Sequence, residues 1–217
     1  MEIHMQEVKL TKQRYLMKAL ELFSKRGYEA VSLSEIAEEI GVSKPALYRH
    51  FKSKQDLLDT LMAMSDEAFL ERMASFQVDF DRHPERRSEY CSMTVEDIVE
   101  RSRGLFLHTA FDEIPRQFRK LMTVEQFHMP EIAEKYNYRY VEVQYDEFEA
   151  LFRMLMEEGR MRKADPRTLA VTFMSVLILM VGVCDRAPEK KEEALTLIER
   201  HVREFCSNYL IPEEHNS

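Results

Sequence analysis

The chain has 217 residues, 45% hydrophobic and 32% charged, which suits a folded globular protein and excludes an intrinsically disordered one. With only 5 Gly and 7 Pro it has few of the turns an all-β fold needs, and its Ala, Leu, Glu, Lys, Arg and Met favour helix, so the expected class is all-α. Asp and Glu outnumber Lys and Arg by 39 to 31, yet Ile40 to Gln55 holds Lys44, Arg49, Lys52 and Lys54 with no acid.

The first helix is expected from Thr11 to Arg26, where Leu16, Ala19, Leu20 and Phe23 form one apolar stripe at helical spacing. Lys25 and Arg26 suit the negative end of that helix, and Gly27 can take the left-handed position after it. Ser32-Leu33-Ser34-Glu35 reads as a capping box that opens a second, short helix, stopped at Gly41. A third helix begins near Lys44 or Pro45, with Ser43 or Lys44 as its cap and Pro45 tolerated in the first turn. Ser53 and Asp56 repeat the capping logic and open a fourth helix running past Phe69. The pattern weakens from Val78 to Ser92, which is expected to be a connection or a frayed helix.

Beyond it, long helices are expected over Thr94–Phe111, Ile114–Phe127, Glu131–Glu158, Pro166–Val183 and Glu189–Leu210. No basic-plus-apolar leader is expected at the N-terminus. The longest apolar run, Leu169 to Cys184, is 16 residues and falls short of a membrane span of ~20, so a buried helix is expected there. Cys91, Cys184 and Cys206 suggest no disulfide framework, and a cytoplasmic protein is expected. Charge divides the chain: residues 1–58 hold 10 basic and 8 acidic side chains, net +2, and the rest hold 21 and 31, net −10.

Three helices in the first 51 residues, the last two joined by Gly41-Val42-Ser43, fit a helix-turn-helix, with Ala37 small enough for a close crossing. At ~100° per residue, Phe51 falls ~40° from Leu47, whereas Pro45 and Arg49 fall ~160° and ~200° away. A helix that buries Leu47 and Phe51 therefore turns Pro45 and Arg49 outward, flanked by Tyr48, Lys52 and Ala46. Such a face can enter a charged groove.

Ser32-x-x-x-Ile36-Ala37, Gly41-Val42-Ser43-Lys44, Leu47-Tyr48-x-His50-Phe51 and Ser53-Lys54-x-x-Leu57-Leu58, preceded by Phe23 and Gly27-Tyr28, resemble the DNA-binding domain of the TetR family of bacterial transcriptional regulators. The resemblance covers about residues 10 to 60 and implies a DNA-binding domain over 1–52, a connecting helix over 53–74 and a helical ligand-binding and dimerisation domain over 75–217. It implies base contacts from Lys44, Pro45 and Ala46 and phosphate contacts from Ser32, Tyr48, His50 and Lys54, with Ser43 beside them at the helix start. Arg49 is at a variable position of the family, so its base contact rests on the helical wheel. A packing role for His50 is the competing reading.

The partners so implied are double-stranded DNA with a palindromic operator, a second copy of the chain joined through the last two helices, and a small, mostly apolar inducer whose binding releases a repressor from DNA. A dimer would set two reading helices ~34–36 Å apart. The middle helices are rich in Phe, Tyr and Met, and the expected pocket residues are Phe106, His108, Phe111, Met122, Phe127, Tyr136, Tyr140, Phe152 and Met174. Plain helical core is the competing reading for each, and His108 and His128 are the polar groups placed to orient a ligand. No catalytic residue, metal or cofactor is expected, since nucleotide, zinc-protease and hydrolase signatures are absent. Glu125-Gln126-Phe127-His128 is one ExxH, where a di-iron bundle needs two. A helical adaptor is a third reading, but it leaves the basic turn without a purpose.

Overall fold

The computed structural model describes residues 2–76 and 84–211, with side chains over 11–73 and 85–211. Its elements are all helical: α1 (Glu2–Arg26), α2 (Leu33–Ile40), α3 (Lys44–Tyr48), α4 (Lys54–Phe76), α5 (Pro84–Cys91), α6 (Val95–Phe111), α7 (Glu113–Glu125), α8 (Pro130–Asn137), α9 (Val143–Glu157), α10 (Pro166–Arg186) and α11 (Lys191–Tyr209). The expected all-α class holds. Two compact units result, one formed by Met1–Ser75 with Arg116–Tyr136 and the other by Phe76–Pro115 with Asn137–Ser217.

In the first unit, α1 starts earlier than Thr11 and packs on α2, which in turn packs on α3. The stripe read from sequence is buried: Leu16, Ala19, Leu20 and Phe23 are shielded from solvent, as are Ile36, Leu47, Phe51 and Leu57 of the same unit. Residues from 116–136 add Phe118, Leu121, Met122 and Ile132 to the buried set. Lys135 on α8 reaches Asp66 on α4 at 2.6 Å. By their contacts, residues 116–136 group with the N-terminal helices.

The second unit is built on α10, which packs against α9, α11 and α6. Phe148, Phe173 and Phe205 stack with centroids 5.1 Å and 4.9 Å apart, and Phe152 lies 5.3 Å from Phe205. Such pairs add about 0.5–1.5 kcal/mol each beyond their burial. Thr94 and Asp97 form a capping box at the start of α6. An antiparallel bridge between Met161 and Leu210 fastens the α9–α10 connection to the end of α11.

Three stretches are sharpened or corrected by the structure. The weak stretch from Val78 to Ser92 contains a helix, α5, tied to the end of α9 by Arg87–Glu158 at 2.5 Å; residues 78–83 lie outside the described residues. The single helix expected over Glu131–Glu158 is broken by a π-helical turn at Tyr138–Glu142. Arg139 within the turn and Val143 and Gln144 just after it are buried. The last helix begins at Lys191, after a 3₁₀ turn at Pro188–Lys190, rather than at Glu189.

Candidate nucleic-acid interface

The reading head is assembled by local chemistry. Ser32 caps α2: its hydroxyl accepts from the Glu35 N–H at 3.2 Å, and the Ser32 N–H donates to the Glu35 carboxylate at 2.8 Å. Arg26 reaches the same carboxylate at 2.8 Å, and this pairing, followed by the bonds to Ser32, lowers the Glu35 pKa to about 2. At the other end of α2, Gly41 sits at φ 77°, and its N–H and that of Val42 close on Glu38 and Ala37 carbonyls. Arg14 from α1 donates to the Ile40 carbonyl at 2.7 Å, placing a cation at the negative end of α2. The chain thus turns sharply into α3 at a fixed angle.

α3 is five residues long, with Ser43 at its cap and Pro45 in its first turn, and Arg49 continues in helical conformation at its end. Leu47 and Phe51 are fully buried, while Lys44, Pro45, Tyr48 and Arg49 are exposed and Ala46 is half-buried. The inward and outward faces therefore lie where the wheel put them. Lys44 Nζ stands 5.8 Å from the Tyr48 ring centre, so a cation and a ring share one edge of the exposed face. Ser32 and Ser43 are exposed at the starts of α2 and α3.

Two expected phosphate contacts have internal commitments. The His50 ring meets the buried Tyr15 edge to face at 5.2 Å. Lys54 donates to the Tyr28 carbonyl at 3.0 Å, lies 4.1 Å from the Tyr28 ring centre and pairs with Glu29 at 3.6 Å. Sequence reasoning also missed Arg14 and the buried Glu125, which accepts from the Tyr28 N–H at 2.7 Å. The signal for Glu125 was present as the ExxH, but its partner is a backbone amide, and His128 is exposed. Among the described residues no group of three or more His, Cys, Asp or Glu could hold a metal ion.

The nine expected pocket residues fall on both units. Phe106, Phe111, Tyr140, Phe152 and Met174 belong to the second, where Phe106 meets Phe111 at 5.8 Å and Phe152 and Met174 are buried in the core. Met122 and Tyr136 belong to the first, with Met122 fully buried. Phe127 is 81% exposed, and His108 sits on the surface paired with Asp112 at 2.7 Å. Neither faces an interior.

Residues 16–61 match the family model described as bacterial regulatory proteins, tetR family. Over those residues the chain is similar to the DNA-binding segment of that family. It is 30% identical over 128 residues to the HTH-type transcriptional regulator AcrR of Shigella flexneri, a stretch that covers 59% of this chain and 53% of that one. The chain spans about half the length, or less, of the first curated relatives it matches. Over almost its whole length it resembles in fold the SmeT–triclosan complex, SmeT being the repressor of a multidrug efflux pump of Stenotrophomonas maltophilia (TM-score 0.63, 18% identity, 96% of this chain and 98% of that one). A transcriptional regulator from Saccharomonospora viridis in complex with choline is similar too (TM-score 0.65, 20% identity, 94% and 100%). At these identities the likeness is one of fold.

Proposed function

We propose that this chain is a ligand-responsive, DNA-binding transcriptional regulator of the TetR family rather than an enzyme, acting in the cytoplasm as a homodimer. The observation that carries the reading is α3: Leu47 and Phe51 are sunk in the core, and Lys44, Pro45, Tyr48 and Arg49 stand exposed beside a left-handed turn at Gly41. Lys44, Pro45, Ala46 and Arg49 would meet base edges, and Ser32, Ser43 and Tyr48 the flanking phosphates. His50 and Lys54 would reach phosphate only by loosening their contacts with Tyr15 and the Tyr28 turn. Residues 1–52 would read DNA, 53–74 connect, and 75–217 bind ligand and a second copy.

Dimerisation through α10 and α11 is supported by Val171, Ile178, Leu179 and Leu197, large apolar side chains left exposed on those helices. Two heads then favour a palindromic operator. The apolar, ring-rich interior of the second unit suits a mostly apolar inducer, which the triclosan bound by SmeT resembles in kind. Release of a repressor by that inducer is the mode proposed. The test is fluorescence anisotropy with DNA from the chain's own upstream region, at stepped salt. Tight binding with a steep negative salt slope is expected; absence of binding at low salt sinks the proposal.

A further inference from the structure

Tyr28 is held by both of its peptide groups. The Glu125 carboxylate on α7 accepts from the Tyr28 N–H at 2.7 Å, and Lys54 at the start of α4 donates to the Tyr28 carbonyl at 3.0 Å. The Tyr28 hydroxyl donates to Gln55 at 3.0 Å, and its ring packs on Phe23 at 5.3 Å. Gly27 makes the approach possible: at φ 82° it has no side chain, and a Cβ there would meet Glu125 Oε1 at 3.3 Å and Val124 Cγ1 at 3.6 Å. Glu125 is buried, so its bond to the amide is shielded from water.

The turn so gripped sets the start of α2. The Val31 N–H closes on the Tyr28 carbonyl at 3.3 Å, and Ser32, the α2 cap, follows at once. A charge-assisted bond of this length weakens steeply once its atoms separate. Removing the acceptor leaves a buried N–H unsatisfied. α7 is also continuous with the second unit, because its first residues, through Pro115, belong there and the rest belong to the first.

We propose that Glu125 is a positioning residue for DNA reading, coupling α7 to the helix-turn-helix through the Tyr28 amide. The inference rests on the DNA-binding reading above. It links the head to α7 as Lys54 links it to α4, and the two links meet on Tyr28. Displacing α7 along its axis breaks the Glu125–Tyr28 bond and frees the entry to α2, which lowers operator affinity without touching a DNA contact.

Hydrogen exchange on the full chain, followed by mass spectrometry with and without upstream DNA, tests this for wild type, Glu125→Ala and Glu125→Gln. Without DNA, residues 27–31 should exchange faster in Glu125→Ala, with Glu125→Gln between it and wild type, since the amide oxygen still accepts. With DNA, wild type should gain protection in 27–31 and 116–125 together. Glu125→Ala should lose the gain in 116–125, and its affinity should fall roughly 5- to 150-fold at an unchanged salt slope. A residue with a merely structural role would leave the joint protection of the two segments intact. Should Glu125→Ala fail to fold, Glu125→Gln alone carries both arms. Variants indistinguishable from wild type in both arms overturn the inference while DNA binding stands. A wild type that ignores DNA overturns the regulatory reading and this inference with it, whatever the DNA-free arm shows.

Discussion

Leu47 and Arg49 lie two residues apart and on opposite faces, so truncating each should separate folding from reading. Leu47 is fully buried, and Leu47→Ala should cost about 2–5 kcal/mol of stability. Arg49 is exposed, with no ion pair among the described residues, so Arg49→Ala should change stability by no more than about 0.5 kcal/mol. Its effect belongs to DNA. A bidentate guanidinium–guanine contact discriminates by ~1–3 kcal/mol. Two heads double that to ~2–6 kcal/mol, or roughly 30-fold to 10⁴-fold in operator affinity at tenfold per ~1.4 kcal/mol. Urea melts and anisotropy titrations, on operator and on scrambled DNA, would give both quantities. The expected result is a selective loss on the operator with the salt slope kept. Equal weakening on both DNAs, with a slope lower by ~1 per copy, would make Arg49 a phosphate contact and refute the wheel argument. A stability loss matching that of Leu47→Ala would mean that α3 is rotated from the described face.

Lys54→Gln removes a bond to the Tyr28 carbonyl and a cation over the Tyr28 ring, and should lower head stability by roughly 1–2 kcal/mol in thermal melts. A full unit lost from the salt slope with stability unchanged would instead show the lysine released to phosphate. Gly41→Ala meets open space and should suffer only the left-handed penalty of about 1–2 kcal/mol, partly offset in the unfolded chain. Gly27→Ala carries the same penalty plus the contact with Glu125, so its urea midpoint should fall further; equal midpoints would contradict the tight approach at Tyr28. Glu35, with its pKa depressed from 4.5 to about 2, stabilises the folded head above pH 4.5, and that contribution is lost as pH falls from there through about 2. Glu35→Gln keeps the cap and removes the charge that Arg26 meets. Its stability deficit should therefore be present at neutral pH, vanish near pH 2 and shrink at high salt.

The head was legible because its determinants are local. A capping box spans four residues, a left-handed stop needs one glycine, and the spacing from Leu47 to Phe51 fixes which side of α3 is buried. None of these requires knowledge of a distant partner. The Tyr28–Glu125 bond joins residues 97 apart, and no periodicity encodes it. Lys54 and His50 carry charge or a ring suited to phosphate, but whether such a group faces water or a neighbour depends on Tyr28 and Tyr15, two helical elements away. The pocket was the least legible part, because aromatic residues fill a core and line a cavity equally well. Phe127 illustrates this: α7 buries Phe118, Leu121, Met122 and Glu125 on one stripe, and Phe127, in the turn after the helix has ended, stands 81% exposed.

The composition of α10 follows from two faces rather than one. Over Pro166–Arg186 it is long and apolar enough to cross a membrane, yet fewer than half the residues of its most apolar window are buried, 44%. Leu169, Phe173, Leu177, Met180 and Cys184 form the buried stripe against the second unit's core. Val171, Ser175 and Ile178 form another at the same helical spacing, and Leu179, 58% exposed, lies beside it. A helix serving only its own core needs one such stripe, and a spanning helix would not bury its Phe173 against Phe205 and Phe148. The second stripe, left exposed among the described residues and flanked by the exposed Leu197 of α11, is what a two-fold contact with another copy would bury. Replacing Ile178 and Leu179 with Glu should then leave the fold intact and yield monomers. Because each head would bind alone, operator affinity should collapse while the weak, salt-sensitive affinity for unrelated DNA persists.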